Sequence, residues 1–168
     1  TSSTKNMKTV FKNCTSLMSL DLSGFKTEGA THMNGMFENC TALTSVDLRS
    51  FDVASALEFS NMFKGCSKLV SANLSTFSAT SLQKTDGMFQ DCRSLTTVHM
   101  PADKAFNGPT LVNIRYMFKN CTSLASIDLN AMDVAGVTGG NGTYYMSEVF
   151  DGCTDITSID ISSWNLAA

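Results

Sequence analysis

The chain has 168 residues, a net charge of −3 and 16% charged side chains, below the roughly 25% of ordinary soluble domains. Ser, Thr and Asn fill the polar positions instead, so the clustered Lys and Arg that phosphate neutralisation needs are missing and nucleic acid is excluded as a partner. No apolar run approaches the length of a membrane span, which excludes direct membrane insertion, and Thr1-Ser2-Ser3-Thr4-Lys5 carries no leader-peptide pattern.

From the first residues onward the chain repeats itself. Val10-Phe11…Cys14…Leu17 opens the series. Met36-Phe37…Cys40…Leu43, Met62-Phe63…Cys66…Leu69, Met88-Phe89…Cys92…Leu95 and Met117-Phe118…Cys121…Leu124 follow, and Val149-Phe150…Cys153…Ile156 ends it. The Cys-to-Cys steps are 26, 26, 26, 29 and 32 residues. A fixed period in this range predicts stacked repeats, each in contact mainly with its neighbours, and a function borne on a repetitive surface. The expected organisation is one array over residues 1–168 of about six units. Neither end reads as a polar cap, so the array is expected to be a segment of a longer protein, able to associate end to end.

Within the second unit, Leu43-Thr44-Ser45-Val46-Asp47-Leu48 alternates, with Val46 and Leu48 inward and Ser45 and Asp47 outward, the pattern of a short half-buried strand. Phe51 follows in a turn. The stretch from Asp52 to Asn61 descends with the sparse anchors Val53, Leu57 and Phe59. Met62-Phe63-Lys64-Gly65-Cys66 then makes one short helical or 3₁₀ turn before the next strand at Leu69. Stacked in register, like residues form files. Leu17, Leu43, Leu69, Leu95, Leu124 and Ile156 make one, Phe25, Phe51, Phe77, Phe106, Met132 and Trp164 another, and Phe11, Phe37, Phe63, Phe89, Phe118 and Phe150 a third. No turn buries enough apolar area alone, but each covers the next, and the strands are expected to form one parallel sheet about 4.8 Å apart.

The phrase Thr15-Ser16-Leu17-Met18-Ser19-Leu20-Asp21-Leu22-Ser23-Gly24-Phe25 and its copies, together with Met-Phe-x-x-Cys-x-x-Leu, resembles the leucine-rich repeat of bacterial surface proteins of the BspA-like kind. The match covers nearly the whole chain and is loosest at His99-Met100-Pro101, which stands where other units have Asp-Leu-Ser or a near variant. The resemblance implies an α/β leucine-rich-repeat solenoid with a parallel sheet on one face and short helical or 3₁₀ turns on the other. It also implies an extracellular, cell-surface location and an adhesive role towards a host or neighbouring-cell protein or glycan. A structural spacer that projects other domains is the rival reading.

Six cysteines at equivalent positions allow two arrangements. Bridges Cys14–Cys40, Cys66–Cys92 and Cys121–Cys153 are sterically conceivable between turns about 5 Å apart, yet nothing selects one neighbour over the other. Six reduced thiols in a buried row is the alternative. A zinc site is not expected, since no Cys-x-x-Cys pair exists and His32 and His99 lie outside the row. The outward strand file Asp21, Asp47, Asn73, His99, Asp128 and Asp160, beside Ser19, Ser45, Ser71, Thr97, Ser126 and Ser158, lines the candidate binding face. The bland reading is a solvated face that blocks sheet stacking. A calcium site needs six to eight converging oxygens, which a flat row does not supply. Two insertions break the period: one around Pro101–Ala105, and one around Thr138–Tyr145 that carries Asn141, Tyr144 and Tyr145. Insertions in arrays emerge as loops, often on the binding face, and tyrosines suit interfaces. No cofactor is expected. Asn13, Asn39, Asn120 and Asn141 satisfy the glycosylation acceptor pattern, the first three as a by-product of the repeat phrase. No nucleophile–base pair is legible, so catalysis is not expected.

Overall fold

The computed structural model describes residues 5–101, 106, 111–134, 137 and 145–164. The chain winds as a solenoid with five short strands: β1 (Ser45–Asp47), β2 (Ser71–Asn73), β3 (Thr97–His99), β4 (Ser126–Asp128) and β5 (Ser158–Asp160). All pair in parallel with strict register, Ser45 on Ser71 on Thr97 and Ser126 on Ser158. In β1 and β4 the burial pattern is exposed, buried, exposed, the alternation that one wetted face dictates.

One expectation needs correction. The strands form two sheets, β1-β2-β3 and β4-β5, rather than a single continuous one. The break falls after the repeat that ends in His99-Met100-Pro101. In the other repeats the residue at the Asp47 position accepts the amide two residues ahead: Asp21 from Ser23, Asp47 from Arg49, Asn73 from Ser75, Asp128 from Asn130 and Asp160 from Ser162, at 2.8–3.0 Å. Pro101 has no N–H to offer. This turn cannot form there, and the strand file is interrupted where its exit changes.

Continuity across the break is carried on the opposite side. Asn6, His32, Glu58, Lys84 and Asn113 pair in sequence as single-residue parallel bridges, and the step from Lys84 to Asn113 spans the longer repeat. His32 is half-buried in this file. The return stroke alternates its amides. Those of Gly35, Phe37 and Asn39 reach forward to the carbonyls of Ser60, Met62 and Lys64, at 2.7–2.9 Å. Those of Met36, Glu38 and Cys40 reach back three residues, at 3.0–3.3 Å. The side opposite the strands is therefore built of linked four-residue turns, and among the described residues it contains no α-helix.

This ribbon needs two left-handed residues per turn. One file is Thr9, Gly35, Asn61, Gly87, Tyr116 and Glu148; the other is Asn13, Asn39, Gly65, Asp91, Asn120 and Gly152, all at φ between 57° and 76°. Asn and Gly tolerate that region best. The side chains in the second file also touch. A Cβ on Gly65 or Gly152 would run into Oδ1 of Asn39 or Asn120 in the preceding turn. Where a side chain does follow another, it bonds to it: Asn39 donates to Asn13 Oδ1 at 3.0 Å and Asn120 to Asp91 Oδ1 at 2.8 Å.

Inside, the leucine and phenylalanine files pack as continuous columns. Leu43, Leu69, Leu95 and Leu124 are fully buried. Phe11, Phe37, Phe63, Phe89, Phe118 and Phe150 stack ring on ring at 5.3–5.6 Å with interplanar angles of 15° or less.

Candidate binding face

The strand face is set by the pleat: Val46, Ala72 and Ile127 point into the core, so their neighbours point out. Asp47, Asn73 and His99 lie in one file of paired residues, and Asp128 and Asp160 in another. Asp21 precedes the first file in a segment that forms no strand. Five of these six side chains spend one oxygen on the turn described above, and only the rest of each group faces outward. His99 is exposed and takes no part in such a turn.

Arg49, which the sequence reading did not single out, grips Asp47 through Nε and Nη2, the shortest contact being 2.7 Å. That pairing, reinforced by the Arg49 amide, holds the Asp47 carboxyl down at about 2. Both groups are exposed, so the pair is a surface feature with little weight in stability. Asp21, Ser23, Asp47, Arg49 and Ser50 line a shallow cleft of about 350 Å³ floored by Leu20 and Leu22.

A further file was legible but passed over. Met18, Thr44, Val70, Thr96, Ala125 and Thr157 precede the strands in register. Each threonine hydroxyl donates to the carbonyl of the residue before it in the file, at 3.1–3.4 Å. Met18 and Val70 are 66% and 47% exposed. The strand face thus carries a file of Met, Thr, Val and Ala beside a hydroxyl file beside a largely acidic one.

Tyr145 is elsewhere. It belongs to the return stroke, where its carbonyl accepts the Ile114 amide at 2.9 Å and its ring is half-buried against the core. Asn141 and Tyr144 lie outside the described residues. A second polar cluster sits on the return stroke. Arg115 and Lys119 lie 4.2 and 5.1 Å from the ring centre of Tyr116, and Lys119 also bonds Glu148 at 2.6 Å and Asp151 at 2.9 Å. These bonds push the Lys119 pKa up and the Glu148 pKa down. Its charges are matched, which makes it a clamp between consecutive turns.

The cysteines carry no exposed reactive chemistry except at one end. All six are unbridged, and all but Cys14 are buried. Each thiol from Cys40 to Cys153 donates to the carbonyl of the phenylalanine one turn earlier, Phe11, Phe37, Phe63, Phe89 and Phe118, at 3.0–3.1 Å. Burial pushes the Cys66 thiol up to about 12 and raises those of Cys40, Cys92, Cys121 and Cys153 as well. A thiolate, the nucleophilic and metal-binding form, is therefore disfavoured along the row. Among the described residues no group of three or more His, Cys, Asp or Glu converges as a metal site.

The sequence model of one family, described as Mycoplasma protein of unknown function, DUF285, matches residues 1–102 and 99–168. No curated protein sequence matches the chain. The solved leucine-rich-repeat protein of T. pallidum is 19% identical over 89% of this chain and 59% of its own, with a TM-score of 0.50. A leucine-rich-repeat protein from Eubacterium ventriosum is 22% identical over 75% of this chain and 29% of its own, with a TM-score of 0.45. The first likeness shows the same fold. The chain spans less than two thirds of either protein.

Proposed function

The chain belongs to the DUF285 family, a BspA-like leucine-rich-repeat family, and from that premise we propose that it is a non-catalytic, cell-surface binding module whose strand face engages a protein or glycan of a host or neighbouring cell. The observation that carries this reading is the makeup of that face. Exposed Met18 and Val70 run beside a hydroxyl file and an acidic file, all fixed by backbone ladders. A rigid scaffold that presents apolar and polar contacts side by side binds with little ordering cost. The acidic file steers towards partners that carry amines or guanidinium groups, and Arg49 offers one donor fork within it.

The test is saturable binding of the purified chain to immobilised matrix proteins and glycans, beside three variants. Ser45→Arg plants a long side chain in the middle of the strand face, Lys64→Glu alters the return stroke, and Tyr145→Ala alters the edge of the second insertion. Binding lost only in Ser45→Arg supports the strand face. Binding lost in Lys64→Glu or Tyr145→Ala and kept in Ser45→Arg moves the site to the return stroke. Absence of binding by the parent chain overturns the reading in favour of a spacer.

A further inference from the structure

The strand face does not carry one sign of charge along its whole length. Between strand entry and strand exit, the first unit has Asp21 as its charged residue, over residues 15–23, and the second has Asp47 with Arg49, over 41–49. The fifth has Asp128, over 122–130, and the sixth has Asp155 and Asp160, over 154–162. The two middle units reverse the sign. Residues 67–75 hold Lys68 alone, and residues 93–101 hold Arg93 with His99. Two departures from the repeat coincide there. Lys68 and Arg93 stand at strand entries where the other units have Thr, Ser, Ala or Asp, and in the same two units Asn73 and His99 stand where the others have Asp.

The backbone sets these bases side by side. The Ser94 amide donates to the Ser67 carbonyl at 3.2 Å and the Thr96 amide to the Val70 carbonyl at 2.9 Å, so the entries to β2 and β3 lie in adjoining turns. Leu69 is buried, and Lys68 and Val70 on either side of it are exposed, as is Arg93 on the next turn. Val70 keeps its exposure in the interior of the array, with turns on both sides of it. Ser71 and Thr97 pair beside it in the hydroxyl file. Among the described residues neither Lys68 nor Arg93 forms an ion pair. Asp91, two residues before Arg93, accepts the Asn120 side-chain amide at 2.8 Å instead. An aliphatic side chain is thus framed by two uncommitted cations.

We propose that this middle patch takes a carboxylate-bearing segment of a partner protein, its carboxylates on Lys68 and Arg93 and an aliphatic side chain against Val70. The assignment rests on the strand face being the binding face and specifies what that face binds. Charge complementarity selects a polypeptide. Asp47 lies one turn before the patch and Asp128 one turn after it, each roughly 5 Å further along the axis. A nucleic acid, or a sulfated or uronic glycan, carries one sign of charge, so a strand of it laid along the axis over Lys68 and Arg93 also meets these aspartates. Two bases are also too few to hold a polyanion by counterion release. A polypeptide can place acids at its centre and Lys or Arg outside them, which are the groups the flanking aspartates attract. The Asp128 side selects more strongly, because Asp47 is shared with Arg49.

The experiment is an amide chemical-shift titration of the 168-residue chain with two synthetic peptides of identical composition. The matched peptide has Glu-Leu-Glu at its centre and a Lys on either side; the inverted peptide has Lys-Leu-Lys at its centre and a Glu on either side. The matched peptide is expected to shift the signals of Lys68, Val70, Arg93 and Thr96 and to bind about tenfold more tightly than the inverted one, with the difference shrinking as salt is added. The double variant Lys68→Glu/Arg93→Glu should exchange the preference, and far-UV spectra check that it stays folded. Heparin should not displace the matched peptide. Equal affinity for the two peptides, no shift with either, a preference unchanged in the double variant, or displacement by heparin overturns the proposal. Binding to the matrix-protein and glycan panel that is lost in Ser45→Arg but kept in Lys68→Glu/Arg93→Glu would leave the strand face standing and remove this partner from it.

Discussion

Single residues in this molecule are chosen by the backbone they sit on. The file ahead of the cysteines shows it. Asn13, Asn39, Gly65, Asp91, Asn120 and Gly152 are there because φ is positive, and glycine stands where the preceding turn leans an Asn over it. The same logic holds at Gly87, at φ 60°, where an added Cβ would lie 2.5 Å from Asn61 Oδ1. Gly87→Ala is expected to cost about 1–3 kcal/mol, from left-handed strain and this contact together. Asn61→Gly in the same chain removes the contact, so chemical denaturation should find the double variant less destabilised than the sum of the two single ones. The apparent glycosylation signals at Asn13, Asn39 and Asn120 are consequences of this file, with the amides of Asn39 and Asn120 already committed to neighbouring side chains. The thiols are a second case. A folded pKa raised above the ordinary 9.0, to about 12 at Cys66, means that the folded state holds its proton more tightly than the unfolded chain does. The stability this brings is fully present below pH 9 and is lost as pH rises towards 12. Unfolding followed from pH 7 upward should therefore show a steady loss of stability above about pH 9, weakened in Cys66→Ala. A thiol reagent at neutral pH should modify Cys14 alone in the folded chain, and all six cysteines once it is denatured.

Elements show why one repeat differs from the rest. A strand exit here is an Asp or Asn side-chain oxygen, Oδ1, that accepts the amide two residues on, and the two positions work as a unit. With Pro101 at the second position, Asp at the first has nothing to accept, and His99 stands there at no local cost. His99→Asp alone should leave stability nearly unchanged. Combined with Pro101→Ser it should be better than the sum of the single changes by about 0.5–1.5 kcal/mol, the worth of one hydrogen bond. A double-mutant cycle by urea unfolding checks this, and zero coupling would mean that the exit turn does not depend on the pair. The element-level reading from the sequence was right about strand positions and register in five of the six units, the first forming no strand, because a two-residue period and a repeated phrase encode them directly. It overstated the sheet's continuity, because the turn that closes each strand draws on the amide two residues past it, and Pro101 has none to give.

At the scale of the whole molecule, stability lies in contacts between turns. Leu69 is fully buried between equivalents on both sides. Leu69→Ala should cost about 2–5 kcal/mol in denaturant unfolding, because a cavity in a stack has no slack on either side to collapse into it. A loss near zero would place Leu69 outside the stack. What the sequence determined by itself was the array: its repeat boundaries, the files of Leu, Phe and Cys, and the outward file of acids. Each follows from the spacing of residue types, and repetition averages away local ambiguity. Only the tertiary structure decided which file faces are free. It revealed that all four acids of the outward file are half-spent on strand exits, that Met18 and Val70 are left bare, and that Tyr145 belongs to the return stroke. It also showed that, among the described residues, the turns opposite the strands are linked ribbons without an α-helix. The physical reason is that exposure and pairing belong to what the neighbouring turn places alongside, and a residue's own identity does not record its neighbour one turn away.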